Sequence, residues 1–302
     1  MRFQLTLSPS LFYITFSLIV LTSCKKALEE EKVYSENKSI EDFLQTKKWE
    51  YTNVDGVYHA VRKIGYGYQV AYGDTVTFWY KGYTLSGKVF ETNIDSVAKS
   101  AKLDTTIRSF DPLVVIAGKS NLISGLDKGL LLSNENEEAT ILFSSDFGFG
   151  NNAIGPVKPW SPLAYNIQIR KLNGVNIEKE KAFIENLDLL NSGFKDTLGM
   201  YYKFLLLGSN SIPIATDTIW GWYKGTLPDG TVIKDLGDGD QKIALSDVNI
   251  PVGVRLGFRK TKKGGLTSLV LPSYMGFGIK GERGGVGPYQ TLFYQIRLDS
   301  IK

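Results

Sequence analysis

One pattern is written twice in this chain. Asp74-Thr75-Val76-Thr77-Phe78-Trp79-Tyr80-Lys81-Gly82 is matched by Asp217-Thr218-Ile219-Trp220-Gly221-Trp222-Tyr223-Lys224-Gly225. Both alternate as strands do, and both follow a turn. A second strand start, Gly56-Val57-Tyr58, precedes the first, and Gly199-Met200-Tyr201 precedes the second. Downstream, Leu85-Ser86-Gly87-Lys88-Val89-Phe90 pairs with Leu227-Pro228-Asp229-Gly230-Thr231-Val232-Ile233, and Asp146-Phe147-Gly148-Phe149-Gly150 pairs with Tyr274-Met275-Gly276-Phe277-Gly278. Each copy closes on an alternating strand, Leu163 to Ile169 and Leu292 to Leu298. A chain that repeats itself this way folds as two similar units. The expected class is α+β, with each unit a β domain preceded by a helix. Before the second copy, Phe183, Ile184, Leu187 and Leu190 have helical spacing within Ile177 to Leu190.

The copies differ in the middle. Tyr80 to Phe149 spans 69 residues and Tyr223 to Phe277 spans 54, so the first copy carries an insertion of 15 residues. It is placed within Thr92 to Phe110, where the polar residues lack a period.

Composition narrows the chemistry. The chain has one Cys and one His, so neither an intramolecular disulfide nor a zinc site built from several Cys and His is possible. A net charge of +4, with no long basic run, gives no argument for nucleic acid. His59 stands in a strand with no partner cluster and reads as structural. Gly118-Lys119-Ser120 lacks the earlier glycine of a phosphate loop. Gly284-Gly285-Val286-Gly287 is a lone loop cluster. Asp235, Asp238 and Asp240 depart from calcium-loop spacing and read as a tight turn.

Residues 1–23 read as a signal peptide, with Arg2, an apolar run from Leu11 to Leu21, and small residues before Cys24. Leu21-Thr22-Ser23-Cys24 resembles the bacterial lipobox, which implies a lipid on Cys24, the sole thiol, and a location in the cell envelope at the outer membrane. Residues 24–48 hold no Gly or Pro and read as a solvated, lipidated tether that becomes a short helix from Ser39 to Lys47, capped by Ser39. The two units are expected at 49–174 and 175–302.

The order of motifs in the first copy resembles FKBP domains, the immunophilin class of peptidyl-prolyl cis-trans isomerases. It runs Thr77 to Gly82, Gly87-Lys88-Val89-Phe90-Glu91, Ile116 to Leu126, Asp146 to Gly150, then Pro159 and the final strand. The resemblance implies a twisted antiparallel sheet wrapped around one short helix, here at Ile123 to Leu132. It also implies isomerisation of X–Pro bonds in exported polypeptides, with no cofactor and no nucleotide. The site residues it implies are Tyr80, Phe90, Glu91, Leu113, Leu122, Ile123, Leu126, Phe149 and Tyr165, with the Ile123 N–H holding the substrate carbonyl. Glu91, Leu126 and Phe149 depart from the aspartate, tryptophan and tyrosine that the family uses. The second copy keeps Tyr223, Ile250, Phe277 and Tyr294. It has Ile233 for the phenylalanine, Lys234 for the acid, Val254 at the floor, and Pro251 where the N–H is needed. Two alternatives remain: a non-catalytic binding or assembly lipoprotein of the same fold, and a carbohydrate-binding surface protein, against which the motif order argues.

Overall fold

The computed structural model describes residues 30–209, 211–237, 241–282 and 285–302. The signal segment, Cys24, Asp238, Asp240 and Gly284 lie outside them. Two seven-stranded antiparallel sheets form the body. The first contains β1 (Thr52–Val54), β2 (Val57–Lys63), β3 (Thr75–Thr84), β4 (Val89–Thr92), β5 (Leu113–Ile116), β6 (Glu138–Phe143) and β7 (Leu163–Asn173). Its order is β1-β2-β6-β7-β3-β4, and β5 pairs with the start of β3. The second contains β8 (Lys195–Thr197), β9 (Met200–Leu206), β10 (Thr218–Thr226), β11 (Val232–Asp235), β12 (Gln241–Ala244), β13 (Leu266–Leu271) and β14 (Leu292–Ile301). Its order is the same, strand for strand.

The likeness extends to irregularities. The β3–β7 ladder slips between Thr77 and Phe78, and the β10–β14 ladder slips between the equivalent Trp220 and Gly221. Gly82 faces Glu91 across β3–β4, and Gly225 faces Lys234 across β10–β11. The sequence match of the two copies is therefore also a match of register.

Each sheet wraps one seven-residue helix, α3 (Ser124–Leu130) in the first copy and α5 (Val252–Phe258) in the second. Both helices carry glycines four apart. A Cβ on Gly125 or Gly129 would lie 2.3 Å from Phe143 or Ile141, and one on Gly253 or Gly257 would lie 2.6 or 2.5 Å from Leu271 or Leu269. These contacts are too short for any side chain, so glycine lets the helix lie directly on the sheet.

The outer face of the first sheet is covered by a helix through residues 30–47, α1. This is longer than the helix expected from Ser39. Ser39 sits inside it, with its hydroxyl donating to the Ser35 carbonyl at 2.9 Å. The segment is also docked. Ile40 and Leu44 are fully buried against Tyr58, Ala60, Leu142 and Ala164, while Glu36 accepts from the Ser145 N–H at 2.6 Å and its hydroxyl at 2.8 Å. The second copy repeats this arrangement with α4 (Val175–Asn186). Glu180 accepts from the Ser273 N–H and hydroxyl, and Ile184 packs near Val270. Leu190, expected on the apolar stripe, is exposed.

Twenty residues separate β4 from β5, and five separate β11 from β12, which accounts for the whole insertion. The segment is not featureless: it forms α2 (Asp95–Ser100), with Ala98 buried.

The copies are docked against each other. Ile177 of α4 is buried in the first core. Tyr68, from the loop after β2, lies edge-on to Tyr274 at 4.8 Å and near Tyr289 at 6.5 Å. Tyr66 packs on the second core.

Candidate active site

The residues singled out in the first copy come from five elements. Tyr80 lies on β3, Phe90 and Glu91 on β4, Leu113 on β5, Leu126 on α3 and Tyr165 on β7. Leu122 and Ile123 lead into α3, and Phe149 follows the turn after β6. All but Glu91 join one apolar cluster. Phe90, Leu126 and Tyr165 are buried and form its floor, while Tyr80, Leu113, Leu122, Ile123 and Phe149 are half-buried and form its wall. Tyr165 is the hub. Phe90 meets it edge-on at 5.7 Å, Phe143 stacks on it at 5.9 Å, and Tyr80 tilts against it at 6.2 Å. Phe149 meets Phe90 edge-on at 5.8 Å. A Cβ on Gly82 would lie 2.9 Å from the Tyr165 ring, so glycine leaves the space in which that ring sits.

Glu91 stands behind the wall, where it accepts a hydrogen bond from the Tyr165 hydroxyl. Burial pushes its carboxyl above the ordinary range, and the Tyr165 hydroxyl and the nearby Arg108 pull partly the other way. Tyr80 is pushed up to about 12 by burial and by the Glu91 charge, against Arg108, so it keeps its proton throughout the neutral range. Arg108 is the residue that sequence reasoning missed. It lies in the insertion, its charge reaches both Tyr80 and Glu91, and its Nε is buried without a hydrogen-bond partner. The one available signal was that it is the sole cation between Lys102 and Lys119.

The raised Glu91 carboxyl gives a pH test. Its folded-state pKa lies above the unfolded one, so the folded chain holds the proton more tightly. Its contribution to stability is then greatest at acid pH and falls as pH rises from about 4.5 through the raised value. Relative to Glu91→Gln, the native chain should lose stability over that interval in urea titrations at successive pH values. Parallel stability curves for the two proteins would refute the assignment.

Ile123 caps α3 with φ −59° and ψ 142°, and its N–H has no partner among the described residues. At Ile123 the wall therefore carries an unsatisfied backbone donor beside apolar side chains. In the second copy the same cap is Pro251, at φ −49° and ψ 137°. There a cavity of about 400 Å³ is walled by Tyr223, Ile233, Phe277 and Tyr294, and Lys234, Asp247 and Glu282 also line it. Proline supplies no donor, and the lining is charged where the first copy's wall is apolar.

His59 does have partners. It is buried, with Nε2 2.9 Å from Glu137 Oε1 and 3.2 Å from Ser133 Oγ. This group ties the end of α3 to β2 and β6 away from the cluster. Asp127 closes the Gly118–Ser120 turn by accepting from the Gly118 N–H and the Ser120 hydroxyl. Asp235 pairs with Lys224 at 3.1 Å and accepts from the Gly237 N–H.

A family model described as FKBP-type peptidyl-prolyl cis-trans isomerase matches residues 67–170 and 210–299. Among curated proteins, the chain is 27% identical over 128 residues to peptidyl-prolyl cis-trans isomerase Mip of Coxiella burnetii, covering 42% of this chain and 55% of that protein. It is 32% identical over 129 residues to the probable FKBP-type isomerase FkpA of Neisseria meningitidis, covering 42% of this chain and 46% of that protein. It is 28% identical over 120 residues to FK506-binding protein 1 of Aspergillus oryzae, covering 39% of this chain and 99% of that protein. The match thus spans about half the length of the two bacterial relatives.

Proposed function

The chain belongs to the FKBP-type peptidyl-prolyl cis-trans isomerase family in both of its halves, and from that premise we propose that the first half isomerises X–Pro bonds of exported polypeptides while the second contributes little turnover. The observation that carries this reading is the free Ile123 N–H at the edge of an apolar aromatic wall. An X–Pro bond resists rotation by ~18–20 kcal/mol because the amide is resonance-stabilised. No proton has to move and no covalent bond has to form. A wall of Tyr80, Leu113, Leu122 and Phe149 excludes water from the amide and favours the twisted form, in which resonance is broken. The Ile123 N–H holds the substrate carbonyl, a fixed donor that needs no reorganisation during rotation. Glu91 and Arg108 act behind the wall, holding Tyr165 and Tyr80.

The proposed units remain 49–174 and 175–302, with α1 added to the first because Glu36 and Ile40 are buried in it. The second copy, with Pro251 and Lys234 at the two decisive positions, is read as a binding or supporting module.

The test is a proline-limited refolding assay on the whole chain. Phe149→Leu should lower kcat/KM at least tenfold, and the equivalent Phe277→Leu should change it less than twofold. Equal losses from the two variants would overturn the division of labour.

We further propose that Cys24 carries the lipid and that the protein is held in the cell envelope at the outer membrane. No helix among the described residues is long and apolar enough to cross a membrane. Cys24→Ala should release the protein into the soluble fraction after a carbonate wash. Retention of the variant would argue against the lipid.

A further inference from the structure

The second copy exposes an aliphatic stretch at and beyond the end of β9. In the first copy, the loop after β2 sends Tyr66 and Tyr68 into contact with the second copy. The equivalent loop after β9, with Ser209 and Ser211 in place of the two tyrosines, is exposed. Leu205, Leu206 and Leu207 are exposed in succession, Leu207 at 74%, and Ile212 and Ile214 follow at 54% and 62%. The β9 ladder pairs with β8 only through Tyr202, so Lys203 to Leu206 form an open sheet edge on that side.

The loop after α5 lies directly against this stretch. The Ser209 N–H donates to the Lys263 carbonyl at 2.7 Å, and the Lys263 N–H donates to the Ser211 carbonyl at 2.9 Å. That loop reads Arg259-Lys260-Thr261-Lys262-Lys263. Thr261 is fully buried, and the four cations on either side of it are exposed. None of the four enters an ion pair among the described residues. The register with the first copy is fixed: Thr261 donates to the Gly257 carbonyl as Ser133 donates to the Gly129 carbonyl. The positions equivalent to the four cations are therefore Leu131, Leu132, Asn134 and Glu135. The basic character belongs to this copy and not to the fold.

Exposed aliphatic side chains beside an unpaired basic cluster match a surface that is apolar beneath and negatively charged at its face. We propose that Leu205, Leu206, Leu207, Ile212 and Ile214, with the Arg259–Lys263 loop, form a membrane-docking surface for an anionic phospholipid bilayer. The cations contact the headgroups, and Leu207, Ile212 and Ile214 enter the interface beside them. An acidic polypeptide would satisfy the charges and leave the five aliphatic residues in water, so the bilayer is the better match.

The chain from residue 25 onward carries every element described and no lipid, so docking can be measured without the anchor. It should sediment with vesicles of phosphatidylglycerol mixed with phosphatidylcholine, weakly with phosphatidylcholine alone, and less as salt is raised. Each exposed cation is worth about fivefold in partition. Lys260→Gln, Lys262→Gln and Lys263→Gln together should therefore lower it about a hundredfold. Leu207→Ser with Ile212→Ser should lower it with all charges kept, and both sets alter exposed side chains only. Failure to bind the anionic vesicles, or binding that neither set weakens, overturns the proposal. Binding to polyglutamate in place of vesicles also overturns it, in favour of an acidic polypeptide partner.

Discussion

Glu180→Ala should cost the second copy about 3–5 kcal/mol, the range for breaking a buried charged network. The carboxylate is buried and accepts three hydrogen bonds: from the Ser273 N–H at 2.7 Å, the Ser273 hydroxyl at 2.6 Å and the Thr291 hydroxyl at 2.8 Å. Alanine leaves all three donors in the interior without acceptors, and each such loss costs ~1–3 kcal/mol. The effect should be local. Trp220 and Trp222 report on the second sheet and Trp79 on the first, so single-tryptophan versions separate the two transitions in urea. With a slope of ~1–3 kcal/mol per molar, the second midpoint should fall by about 2 M while the first moves little. Glu36→Ala should do the same to the first copy on a smaller scale, since only the Ser145 N–H and hydroxyl depend on it. Movement of the wrong transition in either variant would refute the idea that each helix staples its own sheet.

These two glutamates also mark where sequence reading reached its limit. The main strands, the repeat register and the place of the short helices were legible, because alternation and turn chemistry act over a few residues. Pro251 was placed at the start of the helix through the family resemblance, and it sits there. Glu36 was not legible. It lies in a run of mixed charges, which reads as a solvated segment, and its partner Ser145 is 109 residues away. The apolar stripe that docks α1 is narrow, essentially Ile40 and Leu44, and Ser39 with Asp42 imitates a cap in mid-helix. The pairing of His59 with Glu137 spans 78 residues, and no local pattern announces it. Arg108 was hidden for a different reason. It enters from the insertion, the one part of the first copy with no counterpart in the second, so the repeat that exposed everything else was silent there. Local physics writes the framework into the sequence, whereas buried polar partnerships are settled by folding.

Ile123→Pro should lower the first copy's kcat/KM by about a hundredfold, the lower end of what loss of one fixed donor costs. The substitution suits the backbone. Ile123 already has φ −59°, within the range proline imposes, and Pro251 occupies the same cap in the second copy at φ −49°. The carbonyl of residue 123 accepts from the Leu126 and Asp127 N–H groups at 3.0 and 3.1 Å, as that of Pro251 accepts from Val254 and Arg255 at the same distances. Those bonds start the helix and survive the change, since only the N–H of residue 123 is lost. Stability should move by less than ~1 kcal/mol, with the stiffer unfolded chain offsetting part of the lost isoleucine packing. Ile123→Val keeps the donor, trims the side chain and should retain most activity, which separates donor from packing. The reverse change, Pro251→Ile, restores a donor to the second copy but leaves Lys234 and Val254, so activity there should rise only slightly. A folded Ile123→Pro protein with native turnover would remove the N–H from the mechanism and leave the apolar wall to act alone.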